Sequence, residues 1–191
     1  MAQTSAQRGV AVRSRLLQAA AELIGERGWH AVSTRMLAER AGVRPGLVHY
    51  HFASLSALLN AAAIASITDL LDESLQQLQG APDLEAGLRG IAELLQPYSG
   101  DDPFSLLYLE AYLAAVRDPE LKTELSRVVE DFRAALTDWL RANRQSEPDA
   151  TARVLMATID GLLLQRPMTS STDPQAMETV LRRLLEQEST A

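Results

Sequence analysis

The chain contains no cysteine, which excludes a disulfide framework and any cysteine-ligated zinc site and fits a reducing cytoplasm. Histidine is nearly as scarce. His30, His49 and His51 are the three present, so everything beyond residue 51 holds neither His nor Cys for nucleophilic or metal chemistry. The ten glycines are scattered, and no Gly-rich phosphate loop occurs. No alternating strand pattern, internal repeat or low-complexity tract appears. No apolar run reaches the roughly 18 residues that a membrane span needs. The opening MAQTSAQRGVAVR lacks the apolar core of a signal peptide. These absences argue against an enzyme, a cofactor, a metal and a membrane, and leave a cytoplasmic binding protein.

What is present is helical. With 191 residues, 47% of them hydrophobic, the chain can bury a second core beyond one small domain. The stretch STRMLAERAGVRPGLVHYHF, residues 33–52, holds two short amphipathic patterns joined by Ala41-Gly42-Val43. Ser33 suits an N-cap, and Met36, Leu37 and Ala41 supply an inward face. Gly42 falls where the chain must turn with positive φ, and Val43 is expected to plug the turn. Pro45 can open the next helix, and Val48 and Phe52 continue the inward stripe. That is a helix-turn-helix pattern, whose second helix can enter a major groove of DNA. An ordinary helical hairpin with a glycine turn would share the pattern, but the charge distribution favours DNA. Residues 1–60 hold seven Arg (8, 13, 15, 27, 35, 40, 44) and three Glu (22, 26, 39) in a chain of net charge −7. Phosphate attraction is therefore available only at this end.

The segment RLLQAAAELIGERGWHAVSTRMLAERAGVRPGLVHYHFASLSALL resembles the DNA-binding domain of the TetR (tetracycline-repressor-like) family. The shared marks are the Ala-Ala pair and Gly28 of the first helix, the hydrophobic-Ala-x-x-Ala-Gly-Val core and the His-Phe that ends the recognition helix. The resemblance implies that Ser33 and Thr34 touch phosphate and that Arg35 reaches a base or the backbone. It places Arg44, Gly46 and Leu47 at base edges, and His49, Tyr50 and His51 on the sugar-phosphate backbone. Two positions depart from the family: His49 stands where Tyr is usual and Leu55 where Lys is usual. The lost Lys should make the salt dependence shallower by roughly one unit. His49 can compensate by a hydrogen bond to phosphate, or can pack against the first helix. Residues 1–10 are expected to be a mobile arm, with Arg8 near the minor groove.

Further helices are expected near 54–79, 83–97, 102–117, 118–143, 149–166 and 173–188. Asp102-Pro103, Asp118-Pro119 and Asp173-Pro174 each place a capping carboxylate before a proline, and Glu147-Pro148-Asp149 marks a similar start. Helix 149–166 is apolar nearly all round. Its face Val154, Ala157, Gly161 and Leu164, with Met177, Val180, Leu181 and Leu184 of the last helix, suits a two-fold four-helix interface, which the resemblance also implies. The middle helices gather Leu71, Leu75, Tyr98, Phe104, Tyr108, Tyr112, Phe132, Leu136, Trp139 and Met156. This set can line an effector pocket or fill a core. Glu110, Asp131 and Asp160 are the polar candidates beside it, and Asp160, in the apolar run MATIDGLLL, would need a partner if buried.

The resulting expectation is an all-α protein of about nine helices. Residues 1–53 form a three-helix helix-turn-helix domain, and residues 54–191 an effector-binding and dimerisation domain. Its function is that of a homodimeric regulator, released from palindromic double-stranded operator DNA by a small apolar or aromatic effector. A helical protein-interaction adaptor without ligand-gated DNA binding is the alternative.

Overall fold

The computed structural model describes residues 5–169 and 179–183. Regular structure among them is wholly helical: α1 (Ser5–Arg27), α2 (Thr34–Arg40), α3 (Pro45–His51), α4 (Leu55–Gly80), α5 (Leu84–Leu94), α6 (Pro103–Ala115), α7 (Pro119–Ala142) and α8 (Pro148–Gln165). Short 3-10 turns follow at Trp29–Ala31 and Arg166–Met168, and residues 179–183 are helical. The Asp173-Pro174 start of the last helix, with Met177 and Leu184, lies outside the described residues.

The Asp-Pro starts work as their chemistry dictates. Asp102 Oδ1 accepts from the N–H groups of Phe104 and Ser105, each at 3.0 Å. Asp118 Oδ1 accepts from Glu120 and Leu121 at 3.0 and 3.1 Å. Asp83 caps α5 in the same way, accepting from Ala86 N–H at 2.8 Å. Glu147 departs from the expectation. It stands before Pro148 at φ 48°, in the left-handed region, and makes no capping bond. The reason lies upstream, where α7 closes with Gln145 N–H bonded to the Leu140 carbonyl and Arg144 at φ 60°. This closure re-aims the short connection before Glu147 can cap. A second departure concerns the arm: α1 already begins at Ser5, so residues 5–10 are helical.

The chain packs as two compact units. The first comprises the residues up to Ile67 together with Asp102–Leu125. Its core takes Leu16, Ala19, Ala20, Leu23 and Ile24 from α1, Leu37 and Ala38 from α2, and Val48 and Phe52 from the end of α3. Leu58, Leu59, Ala62, Ala63 and Ile67 of α4 and Leu107, Ala111 and Ala115 of α6 complete it. Each fully buried Leu or Ile contributes about 1.5–3 kcal/mol. The Ala-Ala pair is small because α1 is covered closely, and at Gly25 the approach is closer still. A Cβ there would lie 2.0 Å from the carbonyl oxygen of Pro103, so the backbones of α1 and α6 touch. Gly28 ends α1 at φ 83°, and the next N–H, that of Trp29, donates to Glu110 Oε2 at 2.9 Å.

The second unit comprises Thr68–Asp101 and the chain from Ser126 onward. Its core is Leu78, Leu88, Ala92, Leu136, Trp139, Leu140, Ala152, Leu155 and Leu181, with Phe132 and Met156 half-buried against it. Gly87 admits the Trp139 ring, since a Cβ would lie 2.5 Å from its Cζ2. Arg166 satisfies the orphan carbonyls after α5 by donating to Leu95 O at 2.7 Å and to Tyr98 O.

Helix α4 is long and apolar enough, by length and composition alone, to cross a membrane. Five of its residues are nevertheless core members of the first unit, and buried Asn60 donates to Asp118 Oδ2 at 3.0 Å. A helix placed this way belongs to a packed core.

Candidate nucleic-acid interface

The helix-turn-helix is built from its caps inward. Ser33 is the N-cap of α2, its hydroxyl accepting from Met36 N–H at 3.4 Å. Leu37 and Ala38 turn inward. Gly42 sits at φ 63°, and Val43 N–H closes the turn on the Ala38 carbonyl at 2.9 Å. Val43 itself is half-buried, a partial plug only, because the turn lies at the surface. Helix α3 then starts with Pro45 at its first position and ends at Phe52, whose N–H bonds to Val48 O. Val48 and Phe52 are buried at 1% and 7% exposure, which fixes the opposite face outward.

That outward face carries Arg44 as the N-cap residue, exposed Gly46, half-buried Leu47, exposed His49 and Tyr50, and half-buried His51. Tyr50 is 79% exposed, a high value for a large aromatic residue, and its ring meets that of His51 edge-on at 5.0 Å between centroids. A Cβ at Gly46 would touch nothing within 4 Å, so the surface beside it is open. His49 is exposed, which leaves it available to a phosphate. Thr34 is half-buried at the first position of α2, and Arg35 beside it is exposed. The nine predicted contact residues thus sit on α2, α3 and their caps. Leu55 is half-buried at the start of α4, which Ser54 caps through Ala57 N–H at 3.0 Å.

Electrostatics sort the arginines. Arg40 is consumed internally, pairing with Glu22 at 3.0 Å and Glu26 at 2.7 Å. The Arg40 hydrogen bonds hold the Glu26 carboxyl below its ordinary range and raise the guanidinium above its own. Arg40 is thus spent on two of the three carboxylates of the first sixty residues, while Arg8, Arg13, Arg15, Arg35 and Arg44 have no carboxylate partner among the described residues.

Val154 is 56% and Leu164 53% exposed, Ala157 is exposed, and a Cβ at Gly161 would meet nothing within 4 Å. These four form one uncovered stripe of α8. Val180 is 54% exposed, whereas Leu181 is buried in its own unit's core. Of the predicted effector lining, Leu136 and Trp139 are core residues, with Phe132 and Met156 packed on them. Leu71, Leu75 and Tyr98 are half-buried in the same unit. Phe104, Tyr108 and Tyr112 belong to the first unit, where Phe104 and Tyr108 are half-buried and Tyr112 is 62% exposed. One shallow apolar cleft of the second unit is lined by Ile91, Leu95, Ile159, Leu162 and Leu163 among others, and has free space for about one water molecule. It includes none of the ten predicted residues. Asp160 and Asp131 are exposed. Asp160 therefore needs no partner on grounds of burial, because its side of α8 is wet. Glu110 is occupied as the acceptor for Trp29 N–H. Arg13 and Arg15, counted in the sequence only as charge, are placed by tertiary packing, Arg13 over the Phe52 ring and Arg15 beside the Gly42 turn.

Comparison with known proteins bears on the whole chain. Residues 16–62 match the bacterial regulatory proteins of the tetR family, and residues 82–187 match the tetracyclin repressor-like C-terminal domain. An uncharacterised HTH-type transcriptional regulator of Mycobacterium bovis is 30% identical over 159 residues, 82% of this chain and 81% of that protein. SCO7518 of Streptomyces coelicolor A3(2) is similar in structure, with TM-score 0.72 and 28% identity, covering 92% of this chain and 99% of that one. The multidrug binding protein EbrR, crystallised with imidazole, gives TM-score 0.67 and 29% identity over 93% of this chain and 97% of its own.

Proposed function

The chain belongs to the TetR family and is a helix-turn-helix transcriptional regulator, and from that premise we propose that it is a homodimeric repressor released from a palindromic operator by a small apolar or aromatic effector. The observation that carries the DNA-reading part is the outward face of α3. Arg44, His49 and Tyr50 stand clear of the core on a helix whose inner residues Val48 and Phe52 are locked. Arg44 and Leu47 are the proposed base-reading residues, with Ser33, Thr34, His49, Tyr50 and His51 on phosphate and Arg35 on either.

The uncovered α8 stripe supports the dimer. Small Ala157 and Gly161 between Val154 and Leu164 would let a second α8 approach closely, and Val180 extends the apolar surface. A two-fold pair would set two recognition helices on half-sites about one helical turn, 34–36 Å, or a multiple apart. The roles are divided at residue 54, with DNA reading before it and effector binding and dimerisation after it.

Effector binding is assigned to the second unit, where half-buried Leu71, Leu75, Phe132 and Met156 would meet the ligand over a floor of Leu136 and Trp139. EbrR, a multidrug binding protein complexed with imidazole, is a precedent for small-molecule binding on this fold. Release would be a population shift: a ligand that binds better to the non-operator arrangement lowers DNA affinity by that difference. Footprinting the purified protein on DNA upstream of its own gene tests the reading. A protected palindrome is the expected result, and absence of any retained duplex DNA would transfer the protein to the adaptor class.

A further inference from the structure

We propose that α1 carries a second phosphate-binding surface, in which Arg13 and Arg15 grip the DNA backbone at the two ends of the recognition helix. The inference rests on the DNA-reading role of α3 argued above. In α1 the buried stripe through Leu16, Ala20 and Ile24 faces the core. At 100° per residue, position 13 projects onto that stripe and position 15 about 200° further round the helix, so the two side chains leave α1 in different directions. The Arg13 guanidinium lies over the Phe52 ring, 5.0 Å from its centroid, where α3 ends. Arg15 Nη1 reaches the helix-turn-helix turn, 3.9 Å from where a Cβ of Gly42 would be. Helix α1 also approaches α3 at Gly9, where a Cβ would lie 3.9 Å from His51 Cε1.

Both guanidinium groups are exposed and neither meets a carboxylate among the described residues. Stacking on Phe52 leaves the edge of the Arg13 fork free, and it fixes the side chain beforehand, so less conformational freedom is lost on contact. Seven residues of α3 span about 10 Å, close to the roughly 12 Å width of a major groove. A helix that short, seated in the groove, brings cations held beside its two ends within reach of the phosphates that border it. The pair also supplies the backbone charge that is missing at Leu55.

The test uses the full-length protein and a duplex of about 30 base pairs without an operator, titrated between about 50 and 200 mM salt. Arg13→Gln and Arg15→Gln should each lower the slope of log affinity against log salt by about 0.9, and the double variant by about 1.8. Operator and unrelated duplex should lose affinity by the same factor, because phosphate contacts carry no sequence information. Arg13→Lys keeps the charge without the planar stack and should keep the wild-type slope. Wild-type slopes in both Gln variants, or an equal loss in Arg13→Lys and Arg13→Gln, would overturn the proposal while the DNA-reading role stands. Failure of the wild-type protein to bind any duplex would instead remove the reading on which it rests.

Discussion

Arg44 is the residue on which the proposed base reading turns, since it stands at the N-cap of α3 with an extended backbone and an exposed side chain. Arg44→Ala should weaken operator binding by about 1–3 kcal/mol. Tyr50→Phe, which removes only a hydroxyl, should cost about 0.5–1.5 kcal/mol. Both variants should leave the melting temperature near wild type, because neither side chain is in the core; gel shift and calorimetry on the same samples check this. Unchanged operator affinity in both would count decisively against α3 as the reading helix. Leu55→Lys is the reciprocal experiment, and the salt slope should steepen by about one unit if position 55 faces the backbone. At this scale the sequence was highly legible for α2 and α3. Gly42, Pro45, Val48 and Phe52 each have one conformational or packing role, and the outward residues follow by periodicity. Arg40 shows the limit: its charge counted toward a DNA-facing surface, yet Glu22 and Glu26, far from it along the chain, neutralise it in the folded head.

Among the elements, the contact of α1 with α6 is the most constrained. Gly25→Ala would drive a Cβ into the Pro103 carbonyl, and since backbone must move to relieve it, a loss of about 1–3 kcal/mol or more is expected. Differential scanning calorimetry would show it as a lowered Tm. The start of α7 gives a pH-dependent test. The Asn60 amide, followed by the Leu121 and Glu120 N–H groups, holds the Asp118 carboxyl below the ordinary carboxylate range. A folded-state pKa below the unfolded value means that this stability is present above the unfolded pKa of about 3.9. It is lost as pH falls through the folded pKa. Asn60→Ala should therefore be less stable than wild type at pH near 7, and the gap should narrow as pH falls below the unfolded pKa and through the lowered folded one. A gap independent of pH would mean that Asn60 acts by packing alone. The Asp-Pro dipeptides made these helix starts readable from sequence, because cap and first position are adjacent. Asn60, 58 residues before its partner, left no such mark.

At the scale of the molecule, assembly is the property to test. Gly161→Arg would fill the open side of α8 without touching the core, since nothing lies within 4 Å of a Cβ there. It should yield monomers in sedimentation experiments, folded and still retaining duplex weakly, but with affinity for a palindrome sharply reduced. Leu181→Arg is a poorer probe, because Leu181 is 6% exposed inside its own core and a charge there would unfold the unit. A dimer that persists in Gly161→Arg would place the interface elsewhere. An effector that lowers operator affinity should raise Tm over the same concentration range, because both effects come from one binding equilibrium.

The sequence by itself determined the all-α class, the helix-turn-helix and which face of α3 turns outward, and most helix starts, because each depends on residues within a few positions of one another. Helix periodicity, a glycine with positive φ and a carboxylate before proline are local quantities, and local physics is written in local order. Only the tertiary structure decided which charges are spent internally, that Glu110 serves the Trp29 N–H, that Asp160 is exposed, and that Arg13 covers Phe52 while Arg15 reaches the Gly42 turn. Those outcomes depend on which helix faces which, and that is set by the close fit of whole apolar faces around residues such as Gly25 and Gly87 rather than by any single stretch of chain.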